Sequence, residues 1–437
     1  MVLIVGMARS GIAAAKLLHR RGKSVFATDS GAAPLRSELD GLGIPYETGG
    51  HTASRFLDAE EIVMSPGVPL NISALDAPRK KGISIVSEIE VASRYLKGDI
   101  VAITGSNGKT TTTTLVGEML NATGRPVQVG GNIGTAMSLL VDSSRAETIN
   151  VVEVSSFQLD GIRDFRPKVA VLTNITPDHL DRYADFQAYR ASKFRIFENQ
   201  QTSDFAVRNR DDKEVYPPVA AGNGRQRFFS QRHSVEDGAC RTGESLYLNG
   251  SPVIPVRDVT LRGAHNIDNV LAAMTVGDCY GVPGDAMAET IRRFRGVEHR
   301  IEFVSEINGI RFFNDSKATN VDSSIKAVES FDGNLIIILG GLDKGAPYAP
   351  LIEAMIPRTK VAVLIGAAAE KIADAIGGRL PVCRAVTMEE AVRLGMEYAK
   401  PGDVILLSPA CASFDMFDNY EHRGKVFKEA VLSWRGN

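Results

Sequence analysis

The sequence is poor in cysteine: there are four, and Cys240, Cys279, Cys383 and Cys411 lie far apart with no close pair. That spacing suits neither a disulfide framework nor a zinc site, so all four are expected to be reduced and mostly buried. There is no excess charge of either sign, because 50 Lys and Arg face 52 Asp and Glu. Charge alone would therefore hold neither nucleic acid nor an anionic membrane, and an anionic ligand must be met by local groups. No apolar run approaches the ~18 residues of a membrane span. The N-terminus runs straight into Val2-Leu3-Ile4-Val5-Gly6 without a basic leader, which predicts a soluble protein that stays in the cytoplasm. Short-period repeats and low-complexity tracts are also missing.

What is present is length and alternation. A chain of 437 residues is expected to fold as about three units, each with its own core. Short Val/Ile/Leu runs at 3–5, 24–28, 100–103, 169–172, 335–339 and 404–407 alternate with helical patterns, the reading for parallel α/β sheets. Three such strands run into a glycine turn: Gly6-Met7-Ala8-Arg9-Ser10-Gly11, Gly105-Ser106-Asn107-Gly108-Lys109-Thr110 and Gly340-Gly341-Leu342-Asp343-Lys344-Gly345. Each unit thus starts near one loop suited to an anion. Breaks near 95–99 and 296–301 divide the chain into 1–96, 97–298 and 299–437. Between 211 and 251 the pattern loosens, and a peripheral excursion on the second unit is expected there.

The second glycine turn sits between a buried strand at 99–104 and a helix predicted over 111–121, where a loop aims backbone N–H groups at an anion. It has two residues before its Gly-Lys pair where the general phosphate motif has four. The physical parts are there all the same: glycines for close approach, Lys109 for β/γ-phosphates and the Thr110 hydroxyl for Mg²⁺. The first turn, with Asp29 after the next strand, resembles a dinucleotide fingerprint. Its second glycine is Ala8, however, and a Cβ there obstructs a pyrophosphate, which weakens the reading as an NAD dehydrogenase. A looser nucleotide diphosphate and a plain tight turn both remain open for this loop.

Three further residues stand where burial makes them conspicuous. Glu153 lies in the strand-like run Val151-Val152-Glu153-Val154, so it needs a cation: a structural salt-bridge partner, or a Mg²⁺ shared with Thr110. His179 falls in a polar loop after a strand, a candidate ligand or orienting group. Lys193 shares one face of the predicted helix 186–198 with Phe186, Tyr189, Ile196 and Phe197. Either it snorkels to water, or it is a buried amine that could take up carbon dioxide and offer two carbamate oxygens to a hard metal ion.

These segments, with Gly130-Gly131-Asn132-Ile133-Gly134, Asn314-Asp315-Ser316-Lys317-Ala318-Thr319-Asn320 and Leu407-Ser408-Pro409-Ala410-Cys411-Ala412-Ser413-Phe414-Asp415, resemble the Mur ligase family. The likeness runs from Gly6 to Gly424, and the short phosphate loop is the family's own form. It implies an α/β protein of three domains: a Rossmann-like N-terminal domain for a UDP-sugar, a central P-loop ATPase-type domain for ATP and metal, and a Rossmann-like C-terminal domain for an amino acid. The implied reaction is the ATP-dependent joining of D-glutamate to UDP-N-acetylmuramoyl-L-alanine through an acyl phosphate, by a monomer with no nucleic-acid or membrane partner.

By the same resemblance, Ser106, Asn107, Gly108, Lys109, Thr110 and Thr111 cradle the ATP phosphates, and Asn269, Arg300 and Asp315 meet its nucleoside end. Thr110 and Glu153 hold one Mg²⁺, and His179 with carbamylated Lys193 holds a second; Lys109, Glu153, His179 and Lys193 form the catalytic set. Arg9, Ser10, Asp29, Ser65, Gly67, Asn132 and Ser155 fall to the sugar nucleotide. Lys317 lies near the reacting centre, and Thr319, Lys344, Ser413 and Tyr420 fall to D-glutamate. Ser106 stands where the family loop more often has Thr, Tyr420 where Phe is commoner, and Ser30-Gly31 where relatives can offer Thr and Arg. The rival readings are a sibling ligase for another amino acid, an NAD oxidoreductase, and a nucleotide-binding sensor without turnover.

Overall fold

The computed structural model of the chain describes residues 1–33, 35–177, 182–216, 222–261, 263–343 and 345–434. The apolar runs become strands of three sheets. β1 (Val2–Val5), β2 (Val25–Asp29), β3 (Tyr46–Thr48), β4 (Glu61–Met64) and β5 (Ser84–Ser87) form the first, in the order β3-β2-β1-β4-β5. All its pairs are parallel. Its order reverses between β1 and β4, where an open α/β sheet leaves a crevice at the carboxyl ends of its strands.

The second sheet contains β6 (Asp99–Thr104), β7 (Val127–Gly131), β8 (Ile149–Glu153), β9 (Val169–Leu172), β10 (Phe205–Asn209), β11 (Arg225–Ser230), β12 (Gly238–Thr242), β13 (Ser245–Leu248) and β14 (Ser251–Pro255). Their order is β14-β13-β12-β11-β10-β9-β6-β8-β7. The stretch expected to wander off as an excursion instead extends this sheet: β11 pairs parallel with β10 and β12, and β12, β13 and β14 follow as an antiparallel meander. Its strands are short and partly exposed, so no long apolar run marks them.

The third sheet contains β15 (Glu302–Ile307), β16 (Ile310–Asn314), β17 (Leu335–Gly340), β18 (Thr359–Ile365), β19 (Val382–Ala385) and β20 (Val404–Leu407) in the order β15-β16-β20-β17-β18-β19. Only the edge strand β15 is antiparallel. β17 is buried on both faces: Leu335, Ile337 and Leu339 enter one core, Ile336 and Ile338 the other. That two-residue alternation is what a strand does with an unbroken apolar run.

The chain divides into two compact units, Met1–Asp258 with Asp268–Arg292, and Val259–Ile267 with Arg293–Asn437. The first unit holds the first two sheets, joined by the helix Glu88–Tyr95. Glu90 Oε2 accepts the backbone N–H groups of Arg163, Asp164 and Phe165 at 2.9, 3.0 and 2.9 Å. Glu88 Oε1 accepts Ser138 N–H and Oγ–H at 2.7 and 2.6 Å. Leu17, Ile89 and Ala92 from the first sheet's helices share a core with Val152 and Leu172 of the second. Buried carboxylates capped by backbone donors, inside a common apolar core, hold the two sheets together as one body.

Of the cysteines, Cys240 and Cys411 are buried and Cys279 and Cys383 half-buried, all four as free thiols. No helix among the described residues is long and apolar enough to cross a membrane.

Candidate active site

The loop after β6 is shaped by its glycines. Gly108 takes φ +81° as the residue before the helix Lys109–Leu120, so the helix starts two residues earlier than its threonine run suggests. A Cβ on Gly105 would lie 1.9 Å from Thr173 Oγ1, and one on Gly108 would lie 2.2 Å from Asn269 Oδ1, so neither position admits a larger residue without displacement. The loop is braced by the segment after β9: Ser106 N–H donates to Asn174 O and Asn107 N–H to Asn174 Oδ1, both at 2.9 Å. Ser106 Oγ also contacts Tyr189 Oη at 3.0 Å and Thr176 O at 2.9 Å. The Lys109 ammonium folds over the loop onto the carbonyls of Gly105 and Ser106, at 2.9 and 2.8 Å. The result is a helix N-terminus with a cation beside it, a ready site for a polyanion.

Beside this loop, Glu153 at the end of β8 is 2 % exposed. Its carboxylate accepts Thr110 Oγ1–H at 2.7 Å and Asn132 Nδ2–H at 3.0 Å. These are neutral donors, and among the described residues no cation forms an ion pair with this buried carboxylate, which leaves it short of positive charge. Thr111 is buried behind it, and Asn132, on the turn after β7, is anchored by its own N–H to Glu153 O at 2.8 Å. Ser155 begins the helix Ser156–Leu159, where it forms a reciprocal cap with Gln158. Asn269 accepts from Thr112 Oγ1 at 3.1 Å, tucked behind the phosphate loop.

The helix proposed over 186–198 spans Phe186–Phe194 and tightens into a final 3₁₀ turn, Arg195–Phe197. Lys193 does not snorkel. It is 2 % exposed, its ammonium lies 4.7 Å from the Tyr189 ring centroid, and it donates to Gly105 O at 2.8 Å. The amine therefore stands against the phosphate loop itself. His179 lies outside the described residues.

The first glycine turn is bound up with Asp29, which accepts Met7 N–H at 2.6 Å and Gly31 N–H at 2.8 Å. One carboxylate oxygen thus holds the glycine turn and the other the backbone just after β2. That employment differs from the ribose contact a dinucleotide enzyme would need from this acid. Arg9 is exposed and Ser10 half-buried at the start of the next helix, while Ser65 and Gly67 follow β4, buried and exposed respectively. In the same unit, Leu70, Arg79, Phe157, Asp160, Arg182 and Tyr183 line a cavity of about 370 Å³.

The second unit gathers its candidates at the carboxyl ends of β16, β20 and β17. Burial pushes Asp315 up to about 7, against the opposing hydrogen bond from Ser408 Oγ–H at 2.9 Å and the charge of Arg300. Arg300 lines a cavity of about 710 Å³ together with Leu261, Ile301, Phe303 and Phe313. Lys317 donates to Tyr420 Oη at 2.6 Å and lies 4.2 Å from its ring centroid. Thr319 is half-buried on the same turn, and Ser413 is buried after β20. Lys344 lies outside the described residues. Among the described residues, one group of acids and histidine is close enough to share a metal ion: Glu298, His299 and Glu302. Lys428 already pairs with both of its carboxylates and offsets one of their two charges, at 2.5 Å from Glu298 and 2.9 Å from Glu302. Asn269 belongs to the first unit, and Arg300 and Asp315 to the second.

Comparison with known proteins decides the family. Residues 1–87 match the MurD-like N-terminal domain, 103–277 the Mur ligase middle domain and 299–411 the Mur ligase glutamate ligase domain. A curated relative from Acidobacterium capsulatum is 47 % identical, over 100 % of this chain and 96 % of its own. The chain belongs to the Mur ligase family. A second relative, from Solibacter usitatus, is 47 % identical over 98 % of this chain and 97 % of its own, and both bear the name UDP-N-acetylmuramoylalanine–D-glutamate ligase. Among solved structures, the UDP-N-acetylmuramate-alanine ligase of Thermotoga maritima superposes with TM-score 0.64 at 19 % identity, covering 99 % of both chains. A pseudomurein peptide ligase of Methanothermus fervidus gives 0.62 at 19 %, again over 99 % of both. At that identity the structural likeness carries the three-domain Mur ligase fold alone.

Sequence reasoning missed several side chains that shape this Mur ligase site. Thr173 and Asn174 buttress the phosphate loop, yet in the sequence they read only as polar loop residues. Arg423 is 1 % exposed, and its spacing from Phe427, Ala430 and Val431 puts it on the buried face of the helix Tyr420–Ser433. That spacing was the available signal.

Proposed function

We propose that the protein is an ATP-dependent ligase that forms the amide bond between UDP-N-acetylmuramoyl-L-alanine and D-glutamate, in peptidoglycan precursor synthesis. The reaction class rests most heavily on one juxtaposition: a glycine-shaped helix N-terminus with Lys109, beside the buried, cation-deficient Glu153 and its Thr110 partner. The amino acid is inferred from the shared name of relatives that match the chain end to end.

A carboxylate is a poor electrophile, so it must be activated before an amine can displace anything from it. In the proposed reaction the L-alanine carboxylate attacks the γ-phosphorus of ATP, giving ADP and an acyl phosphate; the D-glutamate amine then attacks the acyl carbon and expels phosphate. Lys109 and the N–H groups of 108–111, beside Ser106 and Asn107, hold the triphosphate and offset the repulsion of two anions meeting. Asn269 in the first unit, and Arg300 and Asp315 in the second, take the nucleoside end. The sugar nucleotide falls to Arg9, Ser10, Asp29, Ser65, Gly67, Asn132 and Ser155. Thr319, Lys344, Ser413 and Tyr420 receive the amino acid, with Lys317 near the reacting centre.

The donor set suits magnesium, because Thr110 and Glu153 are hard oxygen ligands beside the phosphate loop. They would hold one Mg²⁺, and His179 with a carbamate on Lys193 a second; the ions supply charge neutralisation around the phosphates. The carbamate forms by addition of carbon dioxide to the Lys193 amine with loss of a proton. The reading carries with it a monomer in the cytoplasm that meets small molecules and neither membrane nor nucleic acid.

Phosphate release tests it, with Mg-ATP, UDP-N-acetylmuramoyl-L-alanine and, in parallel, D-glutamate, L-glutamate, L-alanine and a diamino acid. Release with D-glutamate alone, with the product of matching mass, supports the reading; release with another amino acid keeps the ligase chemistry and moves the specificity; no release with any favours a nucleotide sensor. Lys193→Ala should lose turnover and regain part of it in a short carboxylic acid at high concentration. Full activity without rescue would remove the carbamate.

A further inference from the structure

Arg423 is a cation that the chemistry above does not use. Although 1 % exposed, it sits one turn into the helix Tyr420–Ser433. Its Nε donates to Ser316 Oγ at 3.0 Å and its Nη2 to Ser316 O at 2.8 Å. Nη1 donates to Cys411 O at 3.2 Å and Ala412 O at 3.3 Å. The same nitrogen lies against the third glycine turn, 3.2 Å from where a Cβ on Gly341 would stand. One side chain therefore joins the loops that follow β16 and β20, and the loop after β17 is tied to the second of these by Leu342 N–H donating to Ala412 O at 2.8 Å.

All its hydrogen-bond acceptors are neutral oxygens, and among the described residues no carboxylate forms an ion pair with it. Burial pushes its pKa down to about 10, with the charges of Cys411, Asp415 and Asp315 opposing the shift. An apolar side chain would occupy this position at lower cost, since a buried charge without a counter-charge is destabilising. What a guanidinium offers here is geometry: five N–H donors in a rigid planar fork. The loops it holds carry Lys317, Thr319 and Ser413, and Tyr420 stands three residues before it, with its carbonyl accepting Ser316 Oγ–H at 2.8 Å.

We infer that Arg423 is a positioning residue that sets the spacing of the amino-acid site, by clamping the loops after β16 and β20 to the start of the last helix. The inference rests on the functional reading above, in which those loops receive D-glutamate. Arg423 touches no substrate, being enclosed by the loops it joins.

Steady-state phosphate release by the full-length protein tests this, with Arg423→Lys, Arg423→Met and Ser316→Ala. Arg423→Lys keeps the charge and loses the fork, and should raise KM for D-glutamate at least ~10-fold, since sub-ångström placement governs such sites. KM for the sugar nucleotide should stay within about two-fold in the same variant, whose site lies on other loops. Ser316→Ala removes one acceptor without stranding a charge, and should raise KM for D-glutamate about three-fold. A merely structural role would lower the active fraction, and so kcat, without separating the two KM values. Unchanged KM for D-glutamate in Arg423→Lys and Ser316→Ala, or equal rises for both substrates, overturns the inference. Should the Arg423 variants fail to fold, Ser316→Ala decides by the same two KM values. A wild-type protein that releases no phosphate with D-glutamate overturns the functional reading instead, and this inference falls with it.

Discussion

The two units build their loops in opposite ways. In the first, the phosphate turn is made of backbone: glycines at 105 and 108 and a helix N-terminus, with side chains bracing it locally from Thr173 and Asn174. In the second, two loops from separate strands are gathered by a buried side chain, Arg423. Backbone amides bind phosphate whatever their side chains are, so the first kind of site depends on a short contiguous motif. A site gathered by side chains can change its specificity by moving loops, but it concentrates the consequences of substitution in a few positions. A family that keeps ATP and changes the amino acid is served by having one of each.

The contrast breaks most sharply at Lys109, the one side chain in the backbone-built turn that must carry charge to the phosphates. Lys109→Ala should lower kcat at least about a thousand-fold, in line with removal of a preorganised charge at a transferring phosphoryl group. The melting temperature should change less than the activity, because Lys109 is half-exposed and its hydrogen bonds to Gly105 O and Ser106 O lie within its own loop. Residual activity near wild type would mean that the backbone amides suffice, and that the turn needs no cation.

The second unit should answer to pH through Asp315. Asp315 ionises near pH 7 in the folded protein because it is buried, and near 3.9 when unfolded. Its folded pKa is raised, so its contribution to stability is fully present below the unfolded value and is lost as pH rises from about 4 through about 7. Asp315→Asn removes that slope. Urea unfolding at pH 5 and pH 8 should show the wild type losing on the order of 2–4 kcal/mol more than the variant over that interval. Parallel pH profiles for the two proteins would mean that Arg300 and Ser408 stabilise the carboxylate as fully as water does.

How much of this was legible in the sequence follows the same division. The strand at 99–104 and the Gly-Lys-Thr run announce themselves because backbone-built sites are local in sequence. The helix after them starts at Lys109 because the left-handed Gly108 sets its first turn, a conformational fact that the threonine run hides. The meander of β12, β13 and β14 was not legible, since its strands are short, partly exposed and interrupted by Gly, Arg and Pro. The apolar stripe on Phe186–Phe194 was legible, but not the fate of Lys193 within it, which is decided by Tyr189 and by a carbonyl from the distant Gly105. Arg423 was least legible of all, because its acceptors come from Ser316, Cys411 and Ala412, on two other loops. Composition and periodicity place a side chain on a face; they do not say which loops that face will meet.

The finest test of the contrast is Tyr420, which shares the start of the last helix with Arg423. Its hydroxyl accepts from Lys317 at 2.6 Å, while its ring lies under the same ammonium, 4.2 Å from the centroid. Tyr420→Phe removes the first contact and keeps the second, because a phenyl face attracts the cation as well. The lost hydrogen bond comes from a charged donor and is worth about 1.5–3 kcal/mol, which limits what restraint of Lys317 can contribute to about a hundred-fold. The ring keeps part of that restraint, so a rise of about ten-fold in KM for D-glutamate, with kcat held, is the expected outcome. A rise well beyond about a hundred-fold would show that the hydroxyl serves the substrate directly. No change at all would assign the placing of Lys317 to the ring, leaving Arg423 and the helix start to hold this corner of the site.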